Sequence, residues 1–135
     1  MNDKYFLDTN IVLYAHTNID LFKQGIAQKL LSNGNAMLST QVLQETMNIL
    51  SKKMKHEWRD IEKVILELMK NNSVFINRES TVLKAGNIAA TYKFSYYDSL
   101  IISSAFESGC TIQYSEDMNS EQLIEGKLTI LNPFK

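Results

Sequence analysis

Short apolar runs alternate with longer segments of helical period along the whole chain, and this alternation limits the folds open to it. Tyr5-Phe6-Leu7 reads as a buried strand, and Ala36-Met37-Leu38-Ser39, Ser73-Val74-Phe75-Ile76, Thr111-Ile112-Gln113-Tyr114-Ser115 and Leu128-Thr129-Ile130-Leu131 read as four more strands. Turn residues precede the middle three: Asn33-Gly34-Asn35, Asn71-Asn72 and Gly109. The last run stands just before Pro133, so it is expected at a sheet edge.

Helical spacing fills the intervals. Residues 20–32 carry Leu21, Ile26, Ala27, Leu30 and Leu31; residues 41–55 carry Val42, Leu43, Met47, Leu50 and Met54. Residues 58–70 carry Trp58, Ile61, Ile65, Leu68 and Met69, and residues 80–93 group Val82, Leu83, Gly86, Ala89 and Ala90 on a face suited to close packing. Residues 96–108 carry Ile101, Ile102, Ala105 and Phe106 and stop at Gly109, a favourable helix terminator. Strands too short to cover themselves, separated by helices, imply a three-layer α/β/α sandwich around a mainly parallel sheet. No repeat or linker interrupts residues 1–135, which read as a single domain.

Composition narrows the function classes. Hydrophobic residues make up 44% and charged residues 21%, which excludes a disordered chain or a disulfide scaffold. The single cysteine, Cys110, allows no internal disulfide and no cysteine-based zinc site, and is expected as a small buried hydrophobe. Met1-Asn2-Asp3-Lys4 has no basic start of a secretory signal, and no apolar run approaches the roughly 20 residues of a membrane span, so a cytoplasmic protein is expected. The net charge is −1, so bulk attraction does not favour nucleic acid. An anionic polymer would need a local basic patch or metal ions.

Carboxylates occupy suggestive positions. Asp8 follows the first strand and Asp117 lies just beyond the fourth; in a parallel sheet, sites form at these strand exits. Either acid alone reads equally well as a helix N-cap. Asp98 has Ile101, Ile102 and Ala105 as helical neighbours, which places its carboxylate on an inward face. A capping role would require the helix to begin at Asp98 itself. Glu45 lies one turn from Val42 and Ile49, in the second turn of a helix for which Thr40 is the expected N-cap. If these acids converge, each pair about 5 Å apart repels by roughly 3 kcal/mol at an effective dielectric near 20. A hard divalent cation, Mg²⁺ or Mn²⁺, relieves that repulsion, activates a bound water and steadies phosphoryl charge. That is chemistry for phosphodiester hydrolysis.

Asp8-Thr9-Asn10-Ile11-Val12, the stretch Ser39–Glu45, Tyr96-Tyr97-Asp98-Ser99-Leu100 and Tyr114-Ser115-Glu116-Asp117-Met118, taken in order, resemble the PIN domain. Length and spacing resemble VapC-type toxin ribonucleases of type II toxin–antitoxin systems. The resemblance implies a Mg²⁺- or Mn²⁺-dependent endoribonuclease with Asp8, Glu45, Asp98 and Asp117 as its acids. Asp8 and Asp98 would be the principal metal ligands, and Glu45 and Asp117 would hold metal-bound waters. Asn10 and Ser115 would support the site by hydrogen bonds. It further implies an RNA substrate cut to a 3′-hydroxyl and a 5′-phosphate, an antitoxin protein as partner, and a homodimer.

Lys52, Lys53, Lys55 and Arg59 form the clearest basic cluster; with Lys93 they are candidate phosphate contacts, or simply solvated helix ends. Tyr96 and Tyr97 are candidates for base stacking, with at least one of them expected in the core. His16 and His56 lack metal-like spacing, the methionines read as core filler, and Glu116 alternates away from Ser115 and Asp117. Two other functions fit the pattern. One is a catalytically silent binding module of the same fold. The other is a haloacid-dehalogenase-like phosphatase, against which stands Asn10 where that family has a second Asp.

Overall fold

The computed structural model describes residues 4–135. Met1, Asn2 and Asp3, part of the N-terminal stretch that reads as having no secretory signal, lie outside the described residues. The elements are β1 (Tyr5–Leu7), α1 (Thr9–Ala15), α2 (Leu21–Ser32), β2 (Ala36–Ser39), α3 (Thr40–Lys52), α4 (Trp58–Asn71), β3 (Ser73–Phe75), α5 (Glu79–Tyr92), α6 (Tyr96–Glu107), β4 (Ile112–Tyr114), β5 (Leu123–Ile124) and β6 (Leu128–Leu131). The sheet order is β3-β2-β1-β4-β6-β5. Every pairing is parallel except that of β5 with β6.

This order fixes the layers. From β1 the chain steps to β2 and then β3 in one direction, so right-handed crossovers put α1–α4 on one face. It then returns past β1 to β4, which puts α5 and α6 on the other. The contacts agree: α1 packs on α2 and α3, α3 on α4, and α5 on α6. Phe6, Leu7, Leu38 and Ile130 of the strands are fully buried between the layers.

Several expectations are corrected. Leu128–Leu131 is not an edge strand: β6 lies between β4 and the two-residue β5, which takes the edge. The helix α1 escapes sequence reading because Ile11, Val12, Leu13 and Ala15 are all buried, which erases the amphipathic period. Ser39, not Thr40, caps α3, its hydroxyl accepting from the Val42 amide at 3.3 Å. In α5 the inward face is Thr81, Ala85 and Ile88, while Val82 and Leu83 face solvent. Trp58 and Met69 of α4 and Leu21 of α2 are also exposed, although each fits the apolar spacing of its helix. Cys110 is buried, and burial pushes its thiol pKa up, so it is a packing residue. No helix among the described residues is long and apolar enough to cross a membrane.

A side-chain clip ties the end of the chain to the first helices. Lys23 of α2 pairs with Glu116, and the Tyr14 hydroxyl of α1 donates to Glu116 at 2.6 Å. The Lys23 ammonium also lies 5.0 Å from the centre of the Tyr14 ring and 5.4 Å from that of Phe134. Glu116 is thereby engaged away from its neighbours Ser115 and Asp117, as its alternation with them requires.

Candidate active site at the strand exits

The strand order reverses between β1 and β4, and such a switch point opens a crevice at the carboxyl ends of the strands. Leu7 pairs with Tyr114 in register, so the residues that follow them, Asp8 and Ser115, emerge side by side. The Asp8 amide donates to the Tyr114 carbonyl at 3.1 Å. The Ser115 hydroxyl donates to Asp8 Oδ2 at 2.8 Å, and Asp8 Oδ1 accepts the Thr9 amide at 2.6 Å as the N-cap of α1. Asp8 is therefore both a cap and a site residue. The helix it starts also aims the Thr9 hydroxyl at Glu45 Oε1, 2.5 Å away on α3.

Asp98 arrives from the opposite layer. Ser95 caps α6, its hydroxyl accepting the Asp98 amide at 3.2 Å, so the helix begins before Asp98 and the simple capping role is excluded. The two helix starts are tied together where Gln41 Nε2 of α3 donates to the Tyr97 carbonyl of α6 at 3.1 Å. Replacing Ser95 by Ala is expected to cost about 1 kcal/mol, the usual value of an N-cap. Urea denaturation would read this as a lowered midpoint, and an unchanged midpoint would contradict the capping role.

Electrostatics unite three of the acids. Burial pushes the Asp8 pKa from 3.8 to about 6; the Ser115 and Thr9 hydrogen bonds work against that rise, and the charges of Asp98 and Glu45 add to it. The ion pairs among the described residues join Lys23 to Glu116, Arg78 to Glu107 and Lys84 to Glu125, so none takes Asp8, Glu45, Asp98 or Asp117. Asp117 stands apart as an exposed group that accepts from the Asn10 amide of α1. Among the described residues, no three His, Cys, Asp or Glu side chains gather tightly enough to make a metal cage. An all-oxygen donor set to which no cation among the described residues is ion-paired nevertheless fits Mg²⁺ or Mn²⁺, because such ions bind through one or two carboxylates and keep several waters.

None of the basic candidates forms an ion pair with the acids among the described residues. Lys52, Lys55, Arg59 and Lys93 are exposed, while Lys53 lines a groove with Asn10 and Tyr14, and so borders the Asn10–Asp117 side of the site. Neither Tyr96 nor Tyr97 enters the core; both are exposed. The sequence reading missed Thr9, Gln41, Gln44 and Asn48. The last three share the α3 face of Glu45 at spacings of three, four and seven residues, a polar stripe that would have revealed them.

A doubly wound, mainly parallel sheet with acids at its switch point places the chain among the three-layer α/β proteins. Residues 5–122 match the PIN domain family, and the chain belongs to it. Comparison with curated proteins finds no match. Among solved structures, the chain resembles VapC20 of Mycobacterium tuberculosis, a sarcin–ricin loop cleaving toxin, at 20% identity and a TM-score of 0.71, covering 86% of this chain and 92% of that one. It also resembles a toxin–antitoxin complex from Klebsiella pneumoniae at 15% identity and TM-score 0.70, covering 96% and 98%. A third likeness is to DNA-bound VapBC of Salmonella typhimurium, at 18% identity and TM-score 0.70, again covering 96% and 98%. At these identities the likeness establishes the fold.

Proposed function

We propose that this protein is a divalent-metal-dependent endoribonuclease acting in the cytoplasm as the toxin of a toxin–antitoxin pair. The observation that carries the reading is Asp8, half-buried at the switch point, its pKa raised further by the charges of Asp98 and Glu45, with no cationic side chain among the described residues ion-paired to any of them. Membership of the PIN domain family supports the nuclease class. The neighbouring VapC toxin and toxin–antitoxin complexes support the biological role.

Asp8 and Asp98 would hold the metal directly, and Glu45 and Asp117 would hold waters beside it. When bound, the ion supplies a water of lowered pKa and offsets charge on the phosphoryl group. The chain supplies the orientation. Ser115 and the Thr9 amide fix the Asp8 carboxylate, and the Thr9 hydroxyl fixes one Glu45 oxygen and leaves the other to accept a proton. Asn10 steadies Asp117. Lys53, beside Asn10, is the best placed of the basic candidates for an RNA phosphate, with Lys52, Lys55, Arg59 and Lys93 as outer contacts. A homodimer and an antitoxin that brings a cationic side chain to the acids complete the reading.

Digestion of total RNA with Mn²⁺, and in parallel with EDTA, tests it. Metal-dependent cuts leaving a 3′-hydroxyl and a 5′-phosphate are expected. Cutting that survives EDTA, or intact RNA in both conditions, would overturn the proposal.

A further inference from the structure

A second feature adjoins the acids: a shallow groove lined by Gln41, Gln44, Glu45, Asn48 and Tyr97. It shares Glu45 with the acidic crevice, and Tyr97 directly precedes Asp98. Among the described residues no lysine or arginine lines it, so it is not built for a phosphate. Its walls are instead side-chain amides, which present donors and acceptors together as base edges do.

Two observations point to a ligand. Gln41 is only 5% exposed; its Nε2 is used by the Tyr97 carbonyl, and its Oε1 has no hydrogen-bond partner. A buried acceptor left unpaired is unfavourable, and because the Gln41 side chain lines the groove, a turn of its amide would bring Oε1 to a donor arriving there. Tyr97, by contrast, is 66% exposed. Tyr96 braces it edge to face, with ring centres 5.6 Å apart and planes at 75°, and Tyr96 is itself tied to α5 by a hydroxyl bond to the Val82 carbonyl at 3.4 Å. An exposed, braced aromatic ring beside unpaired amides is a stacking platform.

We propose that the groove formed by Gln41, Gln44, Asn48 and Tyr97 beside Glu45 is a nucleobase subsite that seats one unpaired base next to the phosphodiester being cut. The inference rests on the nuclease reading and adds its substrate class. Gln41 Oε1 is an unpaired acceptor, so the groove favours a base with an exocyclic amino group, such as adenine or cytosine, over uracil, which has none. A base paired in a duplex has its amino edge occupied and its faces stacked, so the subsite selects single-stranded or loop RNA.

Fluorescence anisotropy with fluorescein-labelled hexaribonucleotides, using Asp98→Asn protein to prevent cleavage, tests the subsite. Oligoadenylate and oligocytidylate are expected to bind about tenfold more tightly than oligouridylate or an abasic ribose–phosphate hexamer. Tyr97→Ala should remove most of that advantage without changing abasic binding, and Tyr97→Phe should keep it. Because Gln41 is buried, the exposed Gln44→Ala and Asn48→Ala variants serve alongside Gln41→Leu, each reducing discrimination between bases. Equal binding of all four hexamers, no binding of any, or a uniform loss with Tyr97→Ala would overturn the subsite. Base-selective binding by a protein that never cleaves RNA would instead leave the subsite standing and remove the nuclease reading.

Discussion

Asp98→Asn protein is expected to cut RNA in Mn²⁺ at least about a thousandfold more slowly than wild type, a loss of about 4 kcal/mol in transition-state stabilisation. The substitution keeps the shape of the side chain and removes only its charge. The Asp98 amide, held by the Ser95 hydroxyl at 3.2 Å, is unaffected, so α6 keeps its cap. What would be lost, on the proposed reading, is one of the three carboxylates whose charges act on one another in the crevice, and with it a direct metal ligand. The variant should be as stable as wild type without metal, or more so, because a like charge facing Asp8 has gone. Rates from labelled RNA on denaturing gels, with circular dichroism to establish folding, provide the check. A folded Asp98→Asn protein that cuts at the wild-type rate would remove Asp98 from the mechanism.

The second large effect is on stability against pH in the absence of metal. Folding raises the Asp8 pKa from 3.8 to about 6, burial being the leading cause. The folded state therefore binds this proton more tightly than the unfolded chain does. The resulting stabilisation is fully present below about pH 4 and is lost as pH rises through 6, by at most about 3 kcal/mol. Urea unfolding in EDTA should show wild type losing stability between pH 4 and pH 7 relative to Asp8→Asn, whose amide does not titrate. Adding Mn²⁺ at pH 7.5 should restore about 2.7 kcal/mol to wild type at a hundredfold excess over its dissociation constant, and much less to the variant. Parallel pH profiles for the two proteins would show that Asp8 is not the strained group.

The same site shows how far local sequence reaches. All five strands read from the chain exist, because each is a short, largely apolar run, and turn residues mark the start of the middle three. Asp8, Asp98 and Asp117 stood out by their places after strands or on an inward helix face. The helix α1 did not stand out, since burial on all sides leaves no polar face to mark the period. The outward turn of Val82, Leu83, Trp58 and Tyr97 was equally hidden, because apolar character does not say which of two adjacent stripes meets a neighbour. Thr9 was passed over because its role depends on Glu45, which is 36 residues away in the chain.

Periodicity, turn signals and strand-exit acids are properties of a few consecutive residues, so the amino-acid sequence alone determined the layered α/β class, the positions of every helix and strand except α1 and β5, and the acids worth watching. The tertiary structure decided which acids face one another. The parallel register of Leu7 with Tyr114 sets Asp8 beside Ser115, the crossover to the opposite layer delivers Asp98, and Asn10 of α1 takes hold of Asp117. Those relations depend on strand order and on packing between distant segments, and charges interact across space with no regard to their separation along the chain.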